Sequence, residues 1–110
     1  MHVLQCAAPD CLPENLRLVS CNARRFTISW STPQEDKLNG TLTEYVIQLI
    51  DESGKKITEE CVDVTTLQKT IQHPHTLYKC FSRNSYKCKV AARTRFGIGP
   101  YSTVVVPKGI

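Results

Sequence analysis

The chain has 110 residues, of which 41% are hydrophobic and 22% are charged, with six cysteines and a formal net charge of +4. This length suits a single domain with a two-layer core. No apolar run approaches the roughly 20 residues that a membrane helix needs, which argues against direct membrane insertion. Fourteen basic residues against ten acidic ones do not amount to the basicity expected of a nucleic-acid partner.

The first strand is predicted to begin after a short leading segment. Residues 1–12 are expected to form a linker or leader, because prolines within it and at Pro13 discourage regular structure. Leu16 then opens an alternation of apolar and polar residues, which is typical of a half-buried strand. We therefore predict one domain over residues 13–107, followed by a tail or linker at 108–110.

The second strand has the clearest pattern in the chain. Phe26, Ile28 and Trp30 alternate with threonine and serine, as β-branched and aromatic residues do on a strand with one buried face. Pro33 ends this strand, and the polar stretch Gln34 to Gly40 is predicted to be a loop.

The middle of the chain predicts three more strands. One runs from about Thr43 to Ile50, with Tyr45 on its inner face, and the glycine in residues 51–54 favours a hairpin turn. Residues 55–64 return as the next strand. A further strand is expected within 67–77, although the sequence does not fix its register.

The final pair of strands is separated by glycine and proline. Residues 86–92 alternate, Gly97 to Ser102 carries a Gly-Gly-Pro pattern that predicts a turn, and residues 103–106 form another strand. About seven short strands at regular spacing predict an all-β fold, a seven-stranded antiparallel β-sandwich.

The spacing of Trp30, Tyr45, Tyr86 and the segment Gly97 to Ser102 resembles that of a fibronectin type III domain, and the resemblance covers roughly residues 13–106. It implies that strands A, B and E pack against C, C′, F and G. It also implies that the tryptophan and the two tyrosines form the structural core. Tyr86 would form a tyrosine corner by bonding to upstream backbone.

The cysteines allow two interpretations. Cys88 lies at an inward position of the predicted strand F and is expected to be a buried, unpaired thiol. In the resembled fold, Cys21 and Cys80 lie at one end of the sandwich and form a possible disulfide, with Cys80 in place of a leucine that the family usually has. The alternative is that all six are reduced in a cytosolic protein. Without a close C-x-x-C pair, no metal site or cofactor is predicted.

Basic residues near the C-terminal end are the candidate partner-binding group. Lys87, Lys89, Arg93 and Arg95 are predicted to line the exposed side of strand F, where they would hold an acidic protein surface or a sulfated glycan through salt-sensitive contacts. The other interpretation is cross-strand pairing with Glu44 and a contribution to solubility. The two remain open at this point.

The predicted function is a non-catalytic protein-interaction or spacer module of a larger multidomain protein, a receptor or cell-adhesion ectodomain. An intracellular scaffold or cytoskeletal module with reduced cysteines is the alternative. A protein partner would contact the B–C loop (Gln34 to Gly40), the F–G loop (Arg95 to Gly99, which includes Phe96) or the basic strand-F face. Asn39 begins an N-glycosylation pattern, which favours the extracellular interpretation.

Overall fold

The two sheets of the protein follow directly from the alternation of its apolar residues. The structure, a computed structural model, describes residues 9–22, 24–34, 38, 40–51, 53–72 and 86–106. The strands are β1 (Glu14–Cys21), β2 (Arg25–Ser31), β3 (Glu44–Ile50), β4 (Lys56–Val62), β5 (Gln68–Gln72), β6 (Tyr86–Thr94) and β7 (Gly97–Val106). Antiparallel pairing joins β1-β2-β5 into one sheet and β4-β3-β6-β7 into the other. This order confirms the predicted β-sandwich, with A, B and E facing C′, C, F and G.

The core lies between the sheets and is organised around two aromatic pairs. Trp30 meets Tyr45 edge-to-face with ring centroids 5.4 Å apart, and Phe26 meets Tyr86 in the same way at 5.9 Å. All four side chains are buried. Such pairs contribute about 0.5–1.5 kcal/mol beyond the burial of their surface. Because each pair joins a β2 residue to one on β3 or β6, the aromatic contacts hold the two sheets together.

The turn between β3 and β4 is built by Asp51. Its carboxylate accepts hydrogen bonds from the backbone N–H groups of Ser53 and Lys55, both at 2.9 Å, and from the Ser53 hydroxyl at 2.6 Å. Gly54 adopts a φ of 92°, a region that other residues rarely enter. The hydrogen bond from the Ser53 hydroxyl is the main cause that holds the pKa of Asp51 below its usual value.

The segment before β1 packs against β7. A Cβ added to Gly99 would lie only 2.8 Å from the Cβ of Pro9 and 3.2 Å from the carbonyl oxygen of Cys11, so only glycine fits here. The Ser102 hydroxyl donates a hydrogen bond to the carbonyl of Pro13. Asn15 then adopts a φ of 56°, and a register irregularity shifts β1 onto β2. The chain therefore first follows β7 and afterwards joins the opposite sheet.

Strand β7 differs from its prediction. The sequence predicted a turn over Gly97 to Ser102, but the strand already begins at Gly97, and only Arg95 and Phe96 connect the paired residues Thr94 and Gly97. Between Ala91 and Arg93 on β6 the register advances two residues, whereas it advances three on β7. Glycine and proline are tolerated because this is an edge strand with a bulge, where a missing N–H costs no ladder bond.

Candidate partner-binding surface

The outer face of the four-stranded sheet carries most of the basic residues predicted from the sequence. Lys87 and Lys89 lie on β6 directly opposite Val105 and Thr103 of β7, and Arg93 lies two positions beyond the buried Ala91. Val90 and Ala92 between them point into the core, as the alternation of a strand requires, whereas Ala91 is buried on the outer face itself. The basic residues are thus on one face but do not form a continuous stripe.

Arg93 is neutralised by a carboxylate on the neighbouring strand. Its Nη1 donates to Oε2 of Glu44 at 2.7 Å, and the two residues are direct cross-strand partners. Their side chains are 36% and 28% exposed, so water screens part of the attraction and the pair contributes about 0.2–1 kcal/mol. Of the two interpretations of the basic residues, cross-strand pairing with Glu44 therefore holds for Arg93.

An apolar row crosses the middle of the same face. Register places Cys61, Val46, Ala91 and Tyr101 side by side on the four strands. Val46 and Ala91 have no exposed surface, although they lie on the face turned away from the core. Burial raises the pKa of the Tyr101 hydroxyl, and Glu59 raises it further. This row separates Arg93 from the two lysines, and the sequence prediction of a stripe missed it.

On the side of the apolar row away from Arg93, the charged residues of β6 are positive, whereas those of β4 pair with each other. The Gln48 side-chain amide donates to Glu59 at 2.7 Å, and Lys56 forms an ion pair with the same carboxylate at 3.3 Å. The hydrogen bond from Gln48 is the main cause that lowers the pKa of Glu59. Lys87 and Lys89 make no ion pair with any residue in the described part of the chain. Among the described residues of this face, they are the charges that have no opposite partner.

The end of the sandwich that carries the predicted loops has an aromatic contact. The Arg95 guanidinium lies 5.0 Å from the centroid of the Phe96 ring. That ring packs on Gly40, where an added Cβ would come within 3.4 Å of it. Arg95 is exposed and Phe96 half-buried, whereas Leu38 of the predicted polar B–C loop is buried in the core. The two-residue β6–β7 connection therefore meets the segment that leads into β3 at this end.

A shallow pocket of about 430 Å³ opens at the same end, lined by Thr32, Leu38, Leu42 and Val64 among others. In the core, neither the Tyr45 hydroxyl nor the Trp30 indole N–H forms a hydrogen bond with a described group. Burial raises the pKa of Tyr45, although Thr32 and Trp30 lie close enough to oppose that rise. Among the described residues, the lining of the pocket includes no histidine, cysteine or charged side chain.

Two cysteines in the described residues are free thiols with different surroundings. Cys88 is fully buried, and burial raises its pKa to about 12, so the predicted unpaired core thiol is confirmed. Cys61 is exposed on β4, and its pKa is raised first by desolvation and then by Glu44. A raised pKa is the opposite of what a nucleophilic cysteine needs. Cys21 is exposed, and its predicted disulfide partner Cys80 lies outside the described residues.

Several other predictions concern the undescribed part of the chain. Asn39 falls there, and so does the backbone just upstream of Tyr86 that would accept its hydroxyl. Over the ranges that the structure describes, no group of three histidine, cysteine, aspartate or glutamate side chains is arranged to hold a metal ion. The same ranges contain no helix of the length and apolarity needed to cross a membrane.

Comparison with known families decides what this sandwich is. The sequence model of the fibronectin type III domain matches residues 12–108. The chain belongs to the fibronectin type III family. Among solved structures, this fibronectin type III domain resembles the crystal structure of the chicken CNTN1 FN1–FN3 domains, with a TM-score of 0.71 at 16% identity over 94% of this chain and 32% of that one. A second structure, described as a myokine, gives a TM-score of 0.68 at 15% identity. At such identities the likeness concerns the fold alone.

Curated relatives are much longer than this fibronectin type III domain. It is 31% identical to protein sax-3 of Caenorhabditis elegans over 90% of its own length and 7% of that protein. It is 32% identical to the Lar-like tyrosine-protein phosphatase of the same nematode, over 74% of its length and 3% of that protein. Mouse protein sidekick-2 is 26% identical over 88% of the chain and 4% of the relative. The match therefore covers a small part of each relative.

Proposed function

We propose that this fibronectin type III domain is a non-catalytic protein-interaction or spacer module of a multidomain receptor or cell-adhesion ectodomain. The observation that carries the proposal is that the family match covers most of this chain, whereas the chain covers only a small part of each relative. The family match takes in residues 12–108 of the chain, whereas the chain spans only 3–7% of sax-3, the Lar-like phosphatase and sidekick-2. A compact sandwich that forms so small a part of a long protein is suited to spacing and presenting surfaces.

The outer face of the four-stranded sheet is the first surface on which we place a protein partner. Lys87 and Lys89 present positive charge beside the exposed Val105, and Tyr101 is half-buried on the same face. Tyrosine and uncompensated charge are favourable elements of protein interfaces. The loop end with Arg95 and Phe96 is the second surface.

Binding to an array of purified ectodomains tests this proposal. A multivalent display of the chain should bind at least one ectodomain, and the K87E/K89E variant should bind it more weakly or with a changed dependence on salt. The matched control is R93E/E44R, which exchanges charges on the same face without altering their sum. The array also displays purified cytoplasmic proteins, and binding to these alone would contradict the ectodomain assignment.

An intracellular scaffold remains the second candidate, because Cys61 and Cys88 are free thiols. A count of reactive thiols in native and denatured protein, expressed through the secretory pathway, separates the two candidates. The ectodomain proposal expects a protected Cys21–Cys80 disulfide and glycan on Asn39, removed by an Asn39→Gln change. Six free thiols and no glycan would favour the intracellular module.

A sulfated glycan is a narrower variant of the proposal. With Arg93 paired to Glu44, the surface offered to such a ligand consists of Lys87, Lys89 and the exposed Arg95. Retention on heparin that falls with salt and disappears in K87E/K89E would support the sulfated glycan as a ligand. Failure of the wild-type protein to be retained would exclude it.

A further inference from the structure

The open edges of the two sheets differ in how well they are protected. Unpaired edges invite another strand unless charges, bulges or prolines blunt them. Strand β4 carries Lys56 and Glu59, β5 carries Lys69, and β1 carries Arg17 with register irregularities. The end of β7, Thr103–Val106, has no charge, and its register with β6 is regular.

The two halves of β7 are treated differently by the rest of the chain. Pro9 packs on Gly99, and Pro13 accepts a hydrogen bond from Ser102, so the first half is covered. Beyond Ser102 the leading segment departs, because the kink at Asn15 carries β1 to the opposite sheet. In the described part of the chain, no strand is hydrogen-bonded to the outer edge of β7.

A groove reaches the start of this open edge at Thr103. It has a volume of about 610 Å³ and is lined by residues 12–16 and by residues 101–103 of β7. Because Glu14 is part of this lining, acidic side chains of a partner are favoured only on the face that turns toward the lysines. Leu12 is 41% exposed, and Leu16 is half-buried against the core. Val104 also turns toward the sandwich and is half-buried. A strand placed along β7 would cover these apolar side chains with one of its faces.

The other face of such a strand would meet positive charge. Val105 and Thr103 point outward beside Lys87 and Lys89. An added strand would lie two strand spacings from the lysines, roughly 10 Å, a gap that a lysine and a glutamate side chain together can bridge. Its outward side chains are therefore favoured to be acidic.

We propose that the outer edge of Thr103–Val106 binds an extended segment of a partner protein as an added strand. Its apolar side chains would lie toward Val104 and Leu16, and its acidic side chains toward Lys87 and Lys89. The inference rests on the proposed role as a protein-interaction module and names the chemistry of its partner.

A second copy of this chain fits the edge less well than an acidic segment does. Antiparallel pairing of two β7 strands would place the lysines of both copies on one continuous face, about 14 Å apart across three strand spacings. The side chains between them, Thr103 and Val105, carry no negative charge. A second copy therefore brings like charges onto one face, whereas an acidic partner brings opposite charges toward the lysines.

Fluorescence anisotropy with a labelled ten-residue peptide that alternates valine and glutamate tests the inference. Wild-type protein should bind it, and added salt should weaken the binding. Val105→Glu and K87E/K89E should each weaken binding by roughly tenfold or more, since Val105→Glu places a carboxylate beside the acidic side chains of the peptide and K87E/K89E removes the opposite charges. The matched control is Val19→Glu, because Val19 is 49% exposed on β1 and Val105 is 55% exposed on β7. A peptide that alternates valine and lysine should not bind.

Circular dichroism shows whether each variant is folded, and amide shifts in nuclear magnetic resonance locate the peptide. Shifts concentrated at Thr103–Val106 support the inference. Absence of binding to wild type, an equal loss in Val19→Glu, shifts concentrated on β5, or a wild-type dimer in sedimentation would overturn it. If Val105→Glu still binds the ectodomain found in the array, the edge inference fails while the proposed module function stands.

Discussion

Replacing Trp30 by alanine should remove a large part of the stability of this domain. The indole is 2% exposed and packs edge-to-face on Tyr45. Deleting a buried tryptophan side chain costs about 3–5 kcal/mol, which is a large share of the roughly 5–15 kcal/mol that stabilises a typical domain. With a urea dependence of about 1.5 kcal/mol per molar, the unfolding midpoint should fall by roughly 2–3 M.

Urea denaturation followed by far-ultraviolet circular dichroism measures this loss, because Trp30 is the one tryptophan and its fluorescence disappears with the change. Val105→Ala is the matched apolar truncation at the surface and should alter the free energy of unfolding by less than about 0.5 kcal/mol. Trp30→Phe, which keeps a ring against Tyr45, should lie between the two. A loss below about 1 kcal/mol for Trp30→Ala would refute the burial of the indole.

Three further outcomes are expected. Arg93→Glu should lower the urea midpoint by placing a second carboxylate beside Glu44, and adding Glu44→Arg should recover most of the loss; an additive loss in the double variant would exclude the ion pair. Burial raises the pKa of Cys88 to about 12, so iodoacetamide at mildly alkaline pH should modify the exposed Cys61 in native protein and reach Cys88 only after unfolding, as peptide mass spectrometry would show. Fast native labelling of Cys88 would argue against its burial. Hydrogen bonds in its turn hold the pKa of Asp51 below the unfolded value, so its stabilising effect is complete above the ordinary aspartate pKa and is lost as pH falls through the folded pKa. Asp51→Asn should therefore reduce the decline of stability below about pH 4, and an unchanged acid limb would count against this contribution.

The strands could be predicted from the sequence wherever one face is buried and the other is solvated. Phe26, Ile28 and Trp30 alternate with polar residues, and β2 lies where they predict it. Strand β7 was predicted too short, because Gly99 and Pro100 are local signals for a turn. They are compatible with a strand only because β7 lies at the edge of the sheet, and this position cannot be read from the sequence.

The candidate surface was predicted in its residue types but not in its arrangement. Strand alternation correctly placed Arg93 with the lysines on one face, but the sequence could not choose between a free charge and a pair with Glu44. That choice depends on the β3–β6 register, a contact over 49 residues of chain. Alternation also places Tyr101 outward, and this signal could have identified the apolar row beside Val46.

Both functional proposals require one register between β6 and β7, so measuring that register tests the account most directly. Cross-strand contacts between backbone protons in nuclear magnetic resonance should pair Lys89 with Thr103 and Lys87 with Val105, as the structure has them. A slip of one residue would exchange the two faces of the strand. Contacts that pair Lys89 with Val104 instead would contradict the placement of the lysines beside an open, uncharged edge.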